Sequence, residues 1–439
     1  MFQKNENSQT QAAVLGLQHL LAMYSGSILV PIMIASALKY SPEQMTYLIS
    51  TDIFMCGLAT LLQLQLRKHF GIGLPVVLGV AFQSVAPLII IGEKHGSGAM
   101  FGSLIVSGIF VMLISGIFSK IRKLFPPIVT GSVITTIGLS LIPVAIGNMG
   151  NNVTKPTSTS LILAFFTIAL ILLINIFTKG FIRSIAILIG LVGGTLLAAS
   201  MGLVDTAVVG QTPWIHLPQP FYFAAPKFYF VDSLMMIIIA IVSLVESTGV
   251  YLALADITGE ELSETRLRNG YRAEGFAVML GGIFNTFPYT GFSQNVGLVH
   301  LSGIKTRKPL YYTAAFLLAL GILPKFAAIA QLIPAPVLGG AMLIMFGMVA
   351  TQGVRMLATV NFEGNQNLLI VAVSVAMGVG FDSTSLFSSL PQFIQPFISN
   401  GIVMSTLAAI VLNLIFNHKK KEVVNNHASE QVLESVKVQ

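Results

Sequence analysis

The chain has 439 residues, of which 54% are hydrophobic and only 9% charged. Its mean hydropathy is +0.82. A soluble domain carries about 25% charged residues, so this composition excludes an ordinary soluble protein and reads as a polytopic membrane protein, long enough for roughly a dozen or more spans of ~20 residues. The net charge of +7 does not call for nucleic acid, because Lys and Arg gather in the cytoplasmic loops of membrane proteins. The single cysteine, Cys56, rules out an intrachain disulfide and argues against a cysteine-based metal site. It reads as a small buried apolar residue.

In chain order, residues 1–11 are polar and mixed in charge. They lack the basic, apolar and cleavage regions of a signal peptide, so the first apolar run is expected in the mature protein. Apolar runs between polar or Gly/Pro breaks then predict fourteen membrane segments, at 14–38, 46–66, 74–92, 99–118, 127–149, 159–178, 182–202, 233–256, 271–288, 292–303, 309–330, 334–357, 365–382 and 402–416. Two are irregular. Pro75 and Gly79 interrupt the segment at 74–92; Pro288 and Gly291 precede the one at 292–303, and Gly297 and Gly303 loosen it. Irregular backbone at membrane depth is tolerated only where protein buries it or it lines a watery cavity. The stretch 204–231, with Trp214, Pro218, Pro220 and Pro226, is the longest external connection, with its aromatics expected at the interface. Residues 417–439 are polar and charged and read as a solvated cytoplasmic tail.

The distribution of charge tests this count. With the N-terminus inside and every segment crossing, the cytoplasmic loops hold Arg67 and Lys68, Lys120 to Lys123, Lys179 and Arg183, Arg266 to Arg272, Lys305 to Lys308, Arg355 and Lys419 to Lys421. The external loops hold only Lys39, Lys94, Lys155 and Lys227. This asymmetry predicts a multi-pass cell-membrane protein with both termini cytoplasmic. The chain also repeats itself: Pro127, Gly131 and Gly138 recur as Pro336, Gly340 and Gly347, an offset of 209 residues. That offset contains seven predicted segments, and an odd number inverts the second half relative to the first. The two irregular segments then stand third in each half, and paired broken segments point to a midplane binding site.

Ionisable and polar residues inside the spans are the functional candidates, because they are costly there. Glu246 lies within the apolar stretch Ile238 to Tyr251, with no other charge until Asp256. Glu274 stands near the start of the next span, close to Arg272, where an interfacial ion pair is an equal reading. Gln18 and His19 lie in the first span. Phe82 sits at the first break, where a ring can stack on a planar ligand. Gln294 and Asn295 follow the second break. A primary amide offers one acceptor and two donors in one plane, which matches a heterocycle edge carrying an N–H beside a C=O. A carboxylate such as Glu246 accepts further ring N–H groups. Together they suit a planar, neutral, nucleobase-like ligand, with helix-to-helix hydrogen bonding as the structural alternative. The sequence carries no P-loop, no GxSxG and no Cys/His metal spacing.

These residues resemble the nucleobase–ascorbate transporters, also called nucleobase:cation symporters of the second kind. The family signature, Gln or Glu, then Asn-x-Gly, four further positions, Thr, and Arg, Lys or Gly, is matched by Gln294-Asn295-Val296-Gly297-Leu298-Val299-His300-Leu301-Ser302-Gly303, with Ser302 in place of Thr. Gln18-His19, Glu246 in the eighth span and Glu274 twenty positions before Gln294 are three further marks. At 274 the family's purine carriers resemble Asp. The resemblance implies an all-α polytopic fold of fourteen segments in a 7+7 inverted repeat, with short strands in broken segments 3 and 10. It implies a cytoplasmic N-terminus (1–13), core parts at 14–118 and 232–330, gate parts at 119–231, with the external loop, and at 331–416, and a cytoplasmic tail (417–439). Glu246 and Gln294 would bind the base through side chains; Phe82 and Ser293 would stack or offer backbone groups; Asn295 belongs to the same wall, and Ser25 or Gly26 lines the pocket. His19, Gln18, Glu274, Gly297 and Ser302 are placed in proton coupling or pocket support.

The implied activity is proton symport of a purine by alternating access, with no cofactor beyond the coupling proton, no metal, and a homodimer through the gate domain. Gln294 and Gly303 resemble the bacterial xanthine and urate carriers, so xanthine is the first choice and urate the second. A uracil carrier, an anion carrier of the same architecture and a membrane enzyme are the competing readings. The carboxylate Glu246 argues against an anionic ligand, and the chain lacks the nucleophile–base pair or metal set an enzyme needs.

Overall fold

A computed structural model describes residues 9–66, 68–121, 125–153, 155–303, 305–381, 387, 389–391 and 395–417. The cytoplasmic tail expected at 417–439 lies outside the described residues except for Asn417. Among the described residues, seven helices are each long and apolar enough to cross a membrane, or eight if Lys308–Ile322 and Pro324–Gln331 form one bent span. Three shorter apolar helices, Ala186–Ser200, Asn365–Phe381 and Gly401–Asn417, accompany them. This is a mostly helical multi-pass membrane protein. In chain order the long elements form two matching series: two helices, a strand leading into a half-helix, then further helices. The repeat detected in the sequence falls on Pro127–Met149 and Ala335–Leu357, both 23 residues long.

Several boundaries move for local physical reasons. The second helix starts at Pro42, not 46, because Ser41 and Gln44 form a reciprocal capping box and Pro stands in its first turn. The ninth element is Glu264–Ile283, starting seven residues before the expected 271, because the Ser263 side chain accepts from the Arg266 N–H. Its charged first turns hid it from a hydropathy reading. The eleventh, expected as one span over 309–330, bends by 78° at Leu323–Pro324; proline cannot continue the hydrogen-bond ladder. The first helix begins at Gln9, inside the expected N-terminal tail, and is interrupted at Ile28 before Leu29–Ala37.

Packing divides the chain into two compact units. One comprises Ile121–Ser140 and Gly347–Gln439. Its centre is Ile128, Val129, Leu357, Ile370 and Ala409, with the Thr136 and Ser405 hydroxyls 2.9 Å apart. The other comprises Met1–Lys120 and Leu141–Phe346 and holds every residue of the site described below. Small residues let its helices approach closely. A Cβ on Gly108 would meet the Met279 backbone at 2.4 Å, and one on Gly57 the Leu318 backbone at 2.9 Å.

Within this unit the two broken segments meet. Strands β1 (Leu78–Val80) and β2 (Tyr289–Gly291) pair antiparallel, with Leu78 opposite Gly291, Gly79 opposite Thr290 and Val80 opposite Tyr289. Two flanking bonds extend the ladder, Ala81 N–H to Pro288 O and Phe292 N–H to Val77 O, both 2.9 Å. All six strand residues are buried, the condition under which non-helical backbone survives at membrane depth. β1 runs through a 3-10 turn at Phe82–Ser84 into the half-helix Val85–His95, and β2 into the half-helix Ser293–Ser302. The antiparallel register sends the half-helices away in opposite directions. No side chain caps the 3-10 turn, the half-helix Val85–His95 or the half-helix Ser293–Ser302, whose N-cap residues are Ala81, Ser84 and Phe292. The first N–H groups of both half-helices therefore keep donor capacity, at the positive end of each helix.

Candidate binding site

The strand pair packs against the helix Phe230–Thr258, and three positions of that helix, Ser243, Glu246 and Ser247, meet it or the turn after β1 through polar groups. The three- and four-residue spacings put Ser243, Glu246 and Ser247 on one side, while the neighbouring Thr248 hydroxyl bonds Leu244 O and Tyr271 Oη, both at 2.6 Å. Gln83, in the turn after β1, donates from Nε2 to Glu246 Oε2 at 3.0 Å and to Ser243 Oγ at 2.8 Å. Thr290 of β2 brings its hydroxyl to 3.4 Å from Glu246 Oε2 and 2.9 Å from Ser247 Oγ. Ser247 donates to Glu274 Oε1 at 3.0 Å and accepts from the Gly291 N–H at 3.0 Å. Tyr251, one turn further, donates to Glu274 Oε2 at 2.9 Å. Gln63 closes the line, donating to Tyr251 Oη at 2.9 Å and to the Gly270 carbonyl at 2.8 Å.

The two carboxylates thus stand at different points of one hydrogen-bonded line. Glu274 is 1% exposed and both of its oxygens are engaged by hydroxyls. It does not pair with Arg272, whose Nε donates to Ser115 Oγ at 3.2 Å, so the interfacial ion pair considered from sequence gives way to a buried supporting acid. Glu246 is half-buried, and its described hydrogen bonds all fall on Oε2. Its Oε1 carries none of these bonds. Among the described residues no Lys or Arg forms an ion pair with either acid.

The second wall is the half-helix Ser293–Ser302. Gln294 is half-buried, and its Oε1 lies 3.3 Å from Ser293 Oγ. No described residue engages its NH2, and it makes no direct bond to Glu246. Asn295 turns elsewhere: it is 2% exposed and donates from Nδ2 to the His19 carbonyl at 3.3 Å. Asn295 Oδ1 and His19 Nδ1 are both buried without a partner. The signature pair therefore divides, with Asn295 anchoring the half-helix to the first helix and Gln294 remaining available. Gln18 is half-buried beside His19. Ser25 is 3% exposed and donates to the Ala22 carbonyl of its own helix at 3.1 Å, and Ser302 likewise turns back to Val299 O at 3.2 Å. Gly297 is exposed with open space where a Cβ would go. Gly303 ends the half-helix at φ 65, a left-handed cap that favours glycine.

Two aromatic rings complete the surroundings. Phe82 is 7% exposed and meets Phe346 edge-on, with centroids 5.6 Å apart. Phe292 lies between two glycines: a Cβ on Gly79 would fall 2.6 Å from its ring and one on Gly26 2.8 Å. The absence of a side chain at Gly26 leaves room for that ring.

Sequence reasoning missed Gln83, Thr290, Ser247, Tyr251 and Gln63, which are ordinary polar residues in helical or strand context. It also missed Asp52, a fully buried carboxylate (0% exposed) in the second helix. Tyr289 of β2 donates to its Oδ1 at 3.1 Å. The rule that singled out Glu246, an acid deep in an apolar run, applies equally to Asp52.

A family model described as "Permease family" matches residues 10–387. The uric acid permease PucK of Bacillus subtilis (strain 168) is 50% identical over 421 residues, covering 95% of this chain and 98% of its own. The xanthine permease of the same organism is 51% identical over 407 residues, covering 92% and 93%. Among solved structures, the transmembrane domain of a cyanobacterial bicarbonate transporter, BicA, is similar with a TM-score of 0.59 at 14% identity, covering 92% of this chain and 97% of that one. At that identity the likeness shows the fold alone. The family match, the two relatives and the paired broken segments agree: this chain is a permease, not an enzyme, and belongs to the nucleobase–ascorbate transporter family.

Proposed function

We propose that the chain carries purine nucleobases across the cell membrane, xanthine first and urate second, by proton symport. The observation that carries this reading is the half-buried carboxylate of Glu246, held through Oε2 by Gln83 and left with Oε1 free beside the strand pair. A carboxylate accepts ring N–H groups, the Gln294 amide matches an N–H/C=O edge, and uncapped N–H groups at the two half-helix starts add donors. Phe82 offers an aromatic face and Ser293 a further polar contact. The uric acid and xanthine permeases of Bacillus subtilis support the purine class. Their near-equal identity, 50% and 51%, does not favour either base.

Proton uptake at Glu246 neutralises the pocket and permits the loaded step. Glu274, linked through Ser247 and Thr290, supports that acid, with His19 and Asn295 fixing the opposite wall. The moving parts are the core (14–118 and 232–330) and gate (119–231 and 331–416) of the family plan, with both termini cytoplasmic and a gate-mediated homodimer. An inorganic anion such as sulfate is disfavoured, because it has no ring N–H to offer the carboxylate that lines the site. The test is Glu246→Gln in proton-driven accumulation and in exchange of labelled xanthine for unlabelled base across the membrane without a gradient. Loss of accumulation with surviving exchange fits a coupling acid. Full accumulation by the variant would overturn the assignment. Competition of xanthine uptake by urate, guanine and uracil ranks the substrates.

A further inference from the structure

A cavity of about 280 Å3 lies away from the strand pair. Its floor is the start of the Pro42–Leu64 helix, with Glu43, Thr46 and Tyr47; its roof is the connection that follows the Ala186–Ser200 helix, with Gln211, His216 and Tyr222. The roof is fastened, not draped. Tyr47 donates from Oη to the Gln219 carbonyl at 2.7 Å and accepts from the Gln219 N–H at 3.0 Å. The His216 N–H donates to the Ile322 carbonyl at 3.0 Å, and Lys325 Nζ to the Val209 carbonyl at 2.8 Å. Those last two bonds tie the roof across the 78° bend at Pro324, itself a lining residue.

The lining has the chemistry of a planar heterocycle site. Tyr222 stacks on Tyr47 with centroids 3.9 Å apart and planes 8° from parallel, and His216 meets Tyr47 edge-on at 5.4 Å. Tyr47 is 4% exposed, so Tyr222 and His216 are the half-buried rings at the cavity. Glu43 and Gln211 are exposed, and among the described residues neither side chain has a hydrogen-bond partner. A carboxylate for ring N–H groups, an amide for an N–H/C=O edge and an aromatic platform are the three groups assigned to the central site, here on unrelated elements. The volume sits just below the roughly 300–1,000 Å3 of drug-sized pockets, which suits a small bicyclic ligand.

We propose that this roofed cavity is a second, outer site for the same planar nucleobase, stacked on Tyr222 between Glu43 and Gln211. The proposal rests on the purine reading for its ligand. The chain supplies its own reporter: the sole tryptophan, Trp214, stands in the roof with Lys325 Nζ 4.9 Å from its ring centroid. Xanthine binding to purified protein is measured by equilibrium dialysis, with Trp214 fluorescence excited at the red edge. Two equivalents bind the wild type, one binds the double variant Glu246→Ala with Gln294→Ala, and the fluorescence change persists in that double variant. Tyr222→Phe keeps that change, whereas Tyr222→Ala loses it. The exposed pair Glu43→Gln with Gln211→Ala weakens it at least several-fold and carries the test if Tyr222→Ala is not monodisperse. One equivalent in the wild type that vanishes in the Glu246→Ala, Gln294→Ala double variant overturns the outer site, as does a fluorescence change untouched both in Tyr222→Ala and in Glu43→Gln with Gln211→Ala. Absence of xanthine, urate and uracil binding from the wild type overturns the purine reading as well.

Discussion

Ser247 is the junction of the polar line, and Ser247→Ala measures what the line is worth. The change removes one oxygen and little volume. The Gly291 N–H then loses its acceptor at 3.0 Å and Glu274 loses one of its two hydroxyl donors. Thr290 loses less, because Ser243 O and Glu246 Oε2 stand at 3.3 and 3.4 Å as alternatives. A buried polar group left unsatisfied costs ~1–3 kcal/mol, so two such groups put the loss at about 2–6 kcal/mol. Equilibrium unfolding in detergent reads the loss, and xanthine uptake reads its consequence for the strand pair. The expected outcome is destabilisation in that range, with a raised KM. The control is Ser200→Ala, whose exposed hydroxyl bonds only its own helix, and which changes stability by no more than about 0.5 kcal/mol. If Ser247→Ala is as stable as that control, the hydrogen-bonded line is not what holds β2 against the helix.

Three further outcomes follow from the same geometry. Gly79→Ala places a Cβ 2.6 Å from the Phe292 ring, whose far edge packs so close to Gly26 that a Cβ added there would stand 2.8 Å from it. Overpacking of that kind costs ~1–3 kcal/mol, so uptake and melting temperature both fall, while Gly380→Ala, with open space around it, alters neither; equal behaviour of the two would contradict the packing. Tyr289→Phe deprives buried Asp52 of its 3.1 Å donor and destabilises by at least ~1–3 kcal/mol. A double-mutant cycle with Asp52→Asn gives a coupling energy above ~0.5 kcal/mol, and strict additivity would show that the pair does not interact.

Much of the fold is legible in the sequence because two strong signals coincide there. Hydropathy locates the spans, and the charge asymmetry checks their count independently. The breaks at Pro75–Gly79 and Pro288–Gly291 announce the strand pair, since proline and glycine interrupt a helix wherever they stand. The register of that pair is not legible, because three-residue strands in an apolar chain carry no alternation to fix it. At the site, Glu246 stands out as an acid among oil. Gln83 does not, because its importance comes from 163 residues of sequence separation closing to 3.0 Å. Asn295 shows the opposite limit. The motif marks it beside Gln294, but successive helical residues face different ways, and the structure spends its amide on His19 O. Asp52 is readable by the same rule as Glu246, an acid in an apolar run, but no motif surrounds it.

The most direct test of the account is uptake of labelled xanthine by cells that lack their own purine transport and express this chain, with and without a protonophore. The account predicts accumulation against a gradient that collapses to equilibration when the proton gradient is discharged. Accumulation indifferent to the protonophore would contradict proton symport, and an absence of xanthine, urate and uracil uptake from well-folded protein would contradict nucleobase transport itself.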